Sequence, residues 1–283
     1  MPLIVFSHAN SFPAGTYRVL FRSLRARGFT VRAVERFGHD PQYPVTSNWP
    51  HLVRQLAEFA APEIARHDGP VFFVGHSLGG FLSLMCAARH PRLGGRPPGG
   101  VLLLDSPLLG GWRARTLALL KGSGLVGSLS PGRISRRRRA HWPDAASVLE
   151  HFRHKRVFAH WDPQVLEDYV AHGTHDERTA DGGIRRALSF SPAIETAIYD
   201  TLPHNLDRLL RRHPLECPVG FIGGTRSAEM RQVGMTMTRK IVGREHPERL
   251  RMIEGSHLFP MERPVETAEA IASMLAGWMG GTR

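Results

Sequence analysis

Ser77 is the first residue of the chain whose setting suits a nucleophile. It stands in Gly75-His76-Ser77-Leu78-Gly79, after four apolar residues (Val71-Phe72-Phe73-Val74) and before the apolar, small-residue run Phe81-Leu82-Ser83-Leu84-Met85-Cys86-Ala87-Ala88. A short buried strand, a sharp turn and a helix are predicted, the context in which Gly-x-Ser-x-Gly lifts a serine hydroxyl above the carboxyl ends of the strands. Gly75 and Gly79 leave room for a turn tight enough to push the central residue toward strained backbone angles. The same turn sets the Leu78 N–H at the helix start, so a nucleophile and half of an anion site come from one corner. A serine nucleophile needs a base, and usually an acid to orient it. The base is expected from a loop late in the chain, where Glu254-Gly255-Ser256-His257-Leu258 stands.

The elements that must hold these residues follow from periodicity. Leu3-Ile4-Val5-Phe6 reads as an opening strand that runs into Ser7-His8-Ala9-Asn10-Ser11-Phe12. Tyr17, Leu20, Phe21 and Leu24 fall at helical spacing, and Phe29 to Val34 alternates as a half-exposed strand would. A helix is predicted from Trp49 to Ala61. Val101-Leu102-Leu103-Leu104 is a continuous apolar strand that ends in Asp105-Ser106-Pro107. Strands apolar throughout and separated by helices indicate a mainly parallel sheet covered on both faces. From Pro107 to Pro218 the residues offer helices and loops but no clear buried strand, so an inserted helical cap is expected. Its aromatics, Trp112, Trp142, Phe152, Phe158, Trp161 and Tyr169, are read as packing core in preference to pocket wall. The α/β pattern resumes with strands at Val219–Ile222 and Leu250–Ile253 and a closing helix from Val265 to Trp278. Three segments result: a first core part (1–107), a cap insertion (108–215) and a second core part (216–283).

With these residues in place, the whole chain resembles the α/β-hydrolase superfamily, in its form with a helical cap between two core strands. The match is carried by the Gly75-x-Ser77-x-Gly79 elbow, the His8-Ala9-Asn10 segment after the first strand and the late Gly255-Ser256-His257. The resemblance implies that His257 is the general base. It also implies an oxyanion hole from the N–H of Leu78 and one from the loop after the first strand, where Asn10 is preferred and Ala9 is the alternative. The usual place for the acid is just past the strand Val219–Ile222, and there this chain has Ser227, which cannot hold an imidazolium as a carboxylate does. Two carboxylates are candidates instead: Asp105, at a position some superfamily lipases use, and Glu229, two positions beyond Ser227. An Asp-Ser-Pro turn at a strand end is also ordinary turn chemistry, and a Ser–His dyad helped by water is a third option. Members commonly begin with a hairpin before the strand that carries the oxyanion loop, and Leu3 opens directly on that strand. A sheet of about six strands is therefore expected, with an edge that a homodimer partner or the cap's flank would cover.

Composition bounds the rest. An apolar fraction of 42% with 22% charged residues is that of an ordinary globular chain. No apolar run approaches the ~20 residues that cross a bilayer, and the first residues lack a basic flank, so a cytoplasmic protein without a membrane span is expected. Cys86 and Cys217 read as two buried thiols, too few for a disulfide framework or a metal site. The net charge of +12 is nearly all arginine, with lysine only at 121, 155 and 240. It is spread along the chain except at Arg136–Arg139, which reads as a solvated face, so no nucleic-acid partner is expected. The function expected is hydrolysis of an ester, thioester or related carbonyl substrate through an acyl-enzyme on Ser77, with no metal or organic cofactor. A carbon–carbon bond hydrolase would use the same serine and histidine. A non-catalytic ligand-binding relative is favoured only by the missing acid at Ser227.

Overall fold

The computed structural model of the chain describes residues 1–110 and 138–280. Trp112, Arg136 and Arg137 lie outside the described residues.

The four most apolar strand segments become the middle of one sheet. β1 (Leu3–Ser7), β3 (Val71–His76), β4 (Gly100–Leu104) and β8 (Val219–Gly224) are buried at every residue. With β2 (Thr30–Ala33) and β9 (Leu250–Ile253) at the edges, they form a six-stranded sheet in the order β2-β1-β3-β4-β8-β9, every neighbouring pair parallel. Edge strand β2 carries Arg32, whose guanidinium pairs with Glu63 at 2.9 Å. A charge on a free edge discourages further strand addition.

Both faces are covered, as continuous apolar strands require. Leu20, Phe21 and Leu24 of α1 (Arg18–Ala26) and Ile271 and Leu275 of α11 (Pro264–Gly280) pack on one face. Leu52 and Leu56 of α2 (Pro50–Ala65) and Leu82 and Met85 of α3 (Leu78–Arg89) pack on the other. Helix α3 is buried from Leu78 through Ala88, which accounts for its lack of a polar face. Truncating a leucine there to alanine would cost about 2–5 kcal/mol. Because β1 lies between β2 and β3, the connections after β1 and β3 leave on opposite faces and open a crevice between them. That is where ligands bind in sheets of this kind.

The segment between β4 and β8 departs from the purely helical expectation. It holds α4 (Ala145–Arg153), α5 (Pro163–Gly173), α6 (Pro192–Asp200) and α7 (Leu206–Arg212). It also holds a small antiparallel sheet, in which β7 (Ile184–Leu188) lies between β5 (His141–Trp142) and β6 (Thr174–Arg178). These strands were missed because they are short and polar: Thr174-His175-Asp176-Glu177-Arg178 buries only Thr174, and Ile184-Arg185-Arg186-Ala187-Leu188 only its last two residues. Helices α4 and α5 start on aspartate caps, Asp144 accepting from Ser147 N–H (2.7 Å) and Asp162 from Gln164 N–H (2.8 Å). Trp142, Phe152, Phe158, Trp161 and Tyr169 are buried together, with neighbouring ring centroids as close as 4.5 Å between Phe158 and Trp161. Arg138 corrects the reading of a solvated arginine face. It is folded inward, donates to Glu195 (3.0 Å) and to the Tyr169 hydroxyl, and lies over the Phe152 ring. Only Arg139 of the described pair is exposed. No helix among the described residues is long and apolar enough to cross a membrane.

Candidate active site

The parallel register levels the strand ends, pairing Ser7 with Gly75, His76 with Leu104 and Leu104 with Ile222. The residues just beyond those ends therefore meet above one edge of the sheet. Ser77, between β3 and α3, has φ 53° and ψ −114°, a conformation held only where the surroundings over-determine it. The surroundings do so. A Cβ at Gly79 would stand 1.9 Å from the Ser7 carbonyl oxygen, and one at Gly75 would stand 2.1 Å from that of Gly79. The Ser77 N–H donates to Leu104 C=O at 2.9 Å, tying the elbow to β4.

His257 follows β9, in the loop before α10 (Phe259–Glu262). Its Nε2 lies 2.9 Å from Ser77 Oγ and its Nδ1 2.7 Å from Asp105 Oδ2. Glu262 holds this loop, its carboxylate accepting from both the N–H and the hydroxyl of Ser256. Asp105, at the end of β4, is fully buried. Besides His257, it accepts from Gly224 N–H (2.9 Å) and from the Ser227 hydroxyl (2.6 Å). Three donors thus converge on one buried carboxylate. Glu229, on α8 (Ala228–Val233), has its carboxylate 4.0 Å from His257 Nδ1, beyond hydrogen-bond reach, and its side chain is 45% exposed. Of the two carboxylates, Asp105 is the one hydrogen-bonded to His257. Ser227 also caps α8, accepting from Met230 N–H. Ser227, at the position where the resemblance would place the acid, thus donates to the Asp105 carboxylate on the neighbouring strand. A hydroxyl at that vacated place was the available sign of this.

Burial alone would pull the His257 pKa down. The Asp105 hydrogen bond and charge, with Glu229 adding to them, outweigh burial and hold it above its ordinary value. His8 sits in the loop after β1 as a neutral ring. Its Nδ1–H donates to Ala9 C=O (2.7 Å) and its Nε2 accepts from Phe37 N–H (3.0 Å). Burial lowers its pKa to about 4.

Ala9 and Asn10 separate clearly. Ala9 N–H is used by the Tyr17 hydroxyl at 3.0 Å. The N–H groups of Asn10 and Leu78 find no acceptor among the described residues, and both residues border the cavity beside Ser77. That cavity has about 420 Å³, and its wall includes Trp49, Phe81, Leu109, Ile198, Leu202 and Val233. Asn10, Tyr199, Gln232 and Glu229 add polar atoms, and among the described lining residues there is no arginine or lysine. Tyr199 and Leu202, from α6 and the turn after it, had no signal in the sequence that would have placed them here. The cap aromatics Trp142, Phe152, Phe158, Trp161 and Tyr169 are packing core, as expected, and line no part of this cavity. Cys86 is buried and Cys217 half-buried, both free, and burial pushes each thiol up to about 12.

Comparison with known proteins bears on this geometry. The family described as "Alpha/beta hydrolase family" matches residues 4–270. The abhydrolase domain-containing protein AFT2-1 of Alternaria alternata is 23% identical over 239 residues, covering 73% of this chain and 83% of that protein. The peroxisomal alpha-beta-hydrolase Lpx1 of Saccharomyces cerevisiae superposes with a TM-score of 0.70 at 16% identity, over 100% of this chain and 78% of that one. An E-2-(acetamidomethylene)succinate hydrolase gives 0.67 at 21% identity, over 97% and 91%.

Proposed function

The chain belongs to the alpha/beta hydrolase family, and from that premise we propose that it cleaves an ester, thioester or related carbonyl substrate through an acyl-enzyme on Ser77. One observation carries the reading: the line from Ser77 Oγ through His257 to Asp105, at 2.9 and 2.7 Å, opens on a cavity.

Ser77 Oγ attacks the substrate carbonyl while His257 Nε2 takes its proton. The imidazolium that forms keeps its Nδ1–H on Asp105, whose charge stabilises it. The oxygen of the tetrahedral intermediate accepts from the Asn10 and Leu78 N–H groups, each worth ~3 kcal/mol of barrier in sites of this type. His257 then passes the proton to the leaving group, activates water, and Ser77 is released. An apolar wall with no cation among its described residues favours an uncharged acyl group of small to medium size. The three-part division at residues 107 and 215 fits this reading, the core supplying the chemistry and the insertion part of the wall.

Labelling with a fluorophosphonate tests the proposal. Wild-type protein should be modified on Ser77, Ser77→Ala should not be labelled, and His257→Ala should label far more slowly. A folded wild-type chain that resists the probe would sink the reading.

A further inference from the structure

Beneath the elbow runs a second line of hydrogen bonds that touches none of the reacting atoms. Ala9 N–H donates to the Tyr17 hydroxyl (3.0 Å), that hydroxyl lies 2.7 Å from His76 Nδ1, and His76 Nε2 lies 2.9 Å from the His257 carbonyl oxygen. The direction follows from what each atom can do. A carbonyl oxygen only accepts, so the His76 hydrogen is on Nε2 and Nδ1 offers a lone pair. Tyr17 therefore donates to Nδ1 and uses its own oxygen to receive Ala9 N–H. All three side chains are interior: Ala9 and Tyr17 are 2% exposed and His76 0%.

Each end of this line is a loop on which the proposed reaction depends. Ala9 adjoins Asn10, His76 adjoins Ser77, and the last acceptor is the backbone of His257 itself. We propose that Tyr17 and His76 are positioning residues, a buried relay that locks the Asn10 loop and the His257 loop onto the Ser77 elbow and so sets the reach of His257 toward Ser77 and Asp105. The inference rests on the hydrolase reading above.

Packing alone would not require these atoms. Tyr17 lies against Phe6 and Phe21, with ring centroids 4.8 and 6.1 Å away, a setting that phenylalanine would fill. An apolar pair would spare the desolvation of two polar side chains. The titratable groups around the relay are known from every side. His76 faces Tyr17, His8 and His257, and His257 faces Asp105, Glu229 and His76. Burial keeps His8 and His76 neutral, so the direction of the relay does not reverse near neutral pH.

The test compares Tyr17→Phe, His76→Asn and His76→Gln with wild type on a chromogenic ester, with histidine titrations followed by NMR on 15N-histidine-labelled protein. Tyr17→Phe and His76→Asn should lower kcat about ten- to a hundredfold, the scale of a misplacement near 1 Å, with KM within about twofold. Glutamine at 76 can still donate from its amide to the His257 carbonyl, so it should recover most of the loss. In His76→Asn the His257 titration should move down, because a looser loop weakens the Asp105 contact. Unchanged kcat in both damaging variants would overturn the relay. So would a fall in kcat that only tracks the fraction of chains a fluorophosphonate can label, with the His257 titration unmoved. The titration needs no turnover. A wild type that fails to label, while His257 still shifts in His76→Asn, would overturn the hydrolase reading and leave the relay standing. If neither labelling nor the shift is seen, both fall. Should His76→Asn not fold, Tyr17→Phe, which removes a single oxygen, decides the matter on the same readouts.

Discussion

The strands beneath Ser77 and those of the segment between β4 and β8 hold together by different means. In β1, β3, β4 and β8 every residue is buried, and the polar groups of the site are closed among themselves, Asp105 with three donors and His257 with two partners. In β6 and β7 only Thr174, Ala187 and Leu188 are buried, and arginine–carboxylate pairs link the strands: Arg186 to Asp176 at 3.0 Å and Arg185 to Glu177 at 2.7 Å. A rigid apolar scaffold fixes atoms to fractions of an ångström, as proton transfer demands. Polar strands held by surface ion pairs can change sequence without disturbing that scaffold, and none of β5, β6 and β7 lines the cavity beside Ser77. The two regions therefore differ in how much substitution they tolerate.

Substitutions can break or sharpen this contrast. The largest effect is expected inside the core set. Asp105→Asn should lower kcat by about 10³–10⁴-fold, as loss of the imidazole's orienting charge does in such triads, whereas Glu229→Gln should stay within about tenfold. Ester hydrolysis by the two variants decides it, and the reverse order would reassign the acid. Next is a pair in the outer segment that is buried as the core's polar groups are, Arg138–Glu195, with side chains 20% and 9% exposed. Arg138→Met should destabilise by about 2 kcal/mol, since it removes the charge-assisted hydrogen bonds to Glu195 and to the Tyr169 hydroxyl, and a denaturant titration measures it.

A smaller effect follows from His8. The unfolded chain takes up a proton near pH 6.5 but the folded one only near 4, so between those values the unfolded state binds more protons and stability falls as pH drops. From pH 7 to pH 5 this is worth about 2 kcal/mol. His257, with its raised pKa, works in the opposite direction. His8→Gln keeps an acceptor for Phe37 N–H and should flatten the loss by that amount, read as Tm against pH. The smallest effect belongs to the exposed sheet. Glu177→Gln should change stability by no more than ~1 kcal/mol, and a Tm shift as large as that of Arg138→Met would erase the distinction between the two regions.

The same contrast explains what could be read before the fold was known. Val71–His76 and Val101–Leu104 are legible because a strand buried on both faces must be apolar at every position. Ser77 and His257 are legible because a tight elbow and a late loop restrict the residues around them. The choice between Asp105 and Glu229 is not, since it depends on how β4 and β8 are levelled and on where the His257 ring turns. Tyr17 illustrates a different blindness. Its spacing marks it as a core residue of a helix face, which it is, while its hydroxyl has a separate use that no periodicity reveals. In Thr174–Arg178 and Ile184–Leu188 the strand signal is drowned by charges that the solvent-facing surface permits.

Asp105 has a consequence for the chain while it is being made. Its three donors come from Gly224, Ser227 and His257, all of which leave the ribosome long after the elbow. At ordinary elongation rates the gap is roughly ten to thirty seconds. Through that interval Ser77 has no histidine beside it, and the Asp105 carboxylate is without the donors that let it sit in the interior. On the proposed mechanism the nascent chain is therefore inactive until the segment after β9 has brought His257 to Ser77.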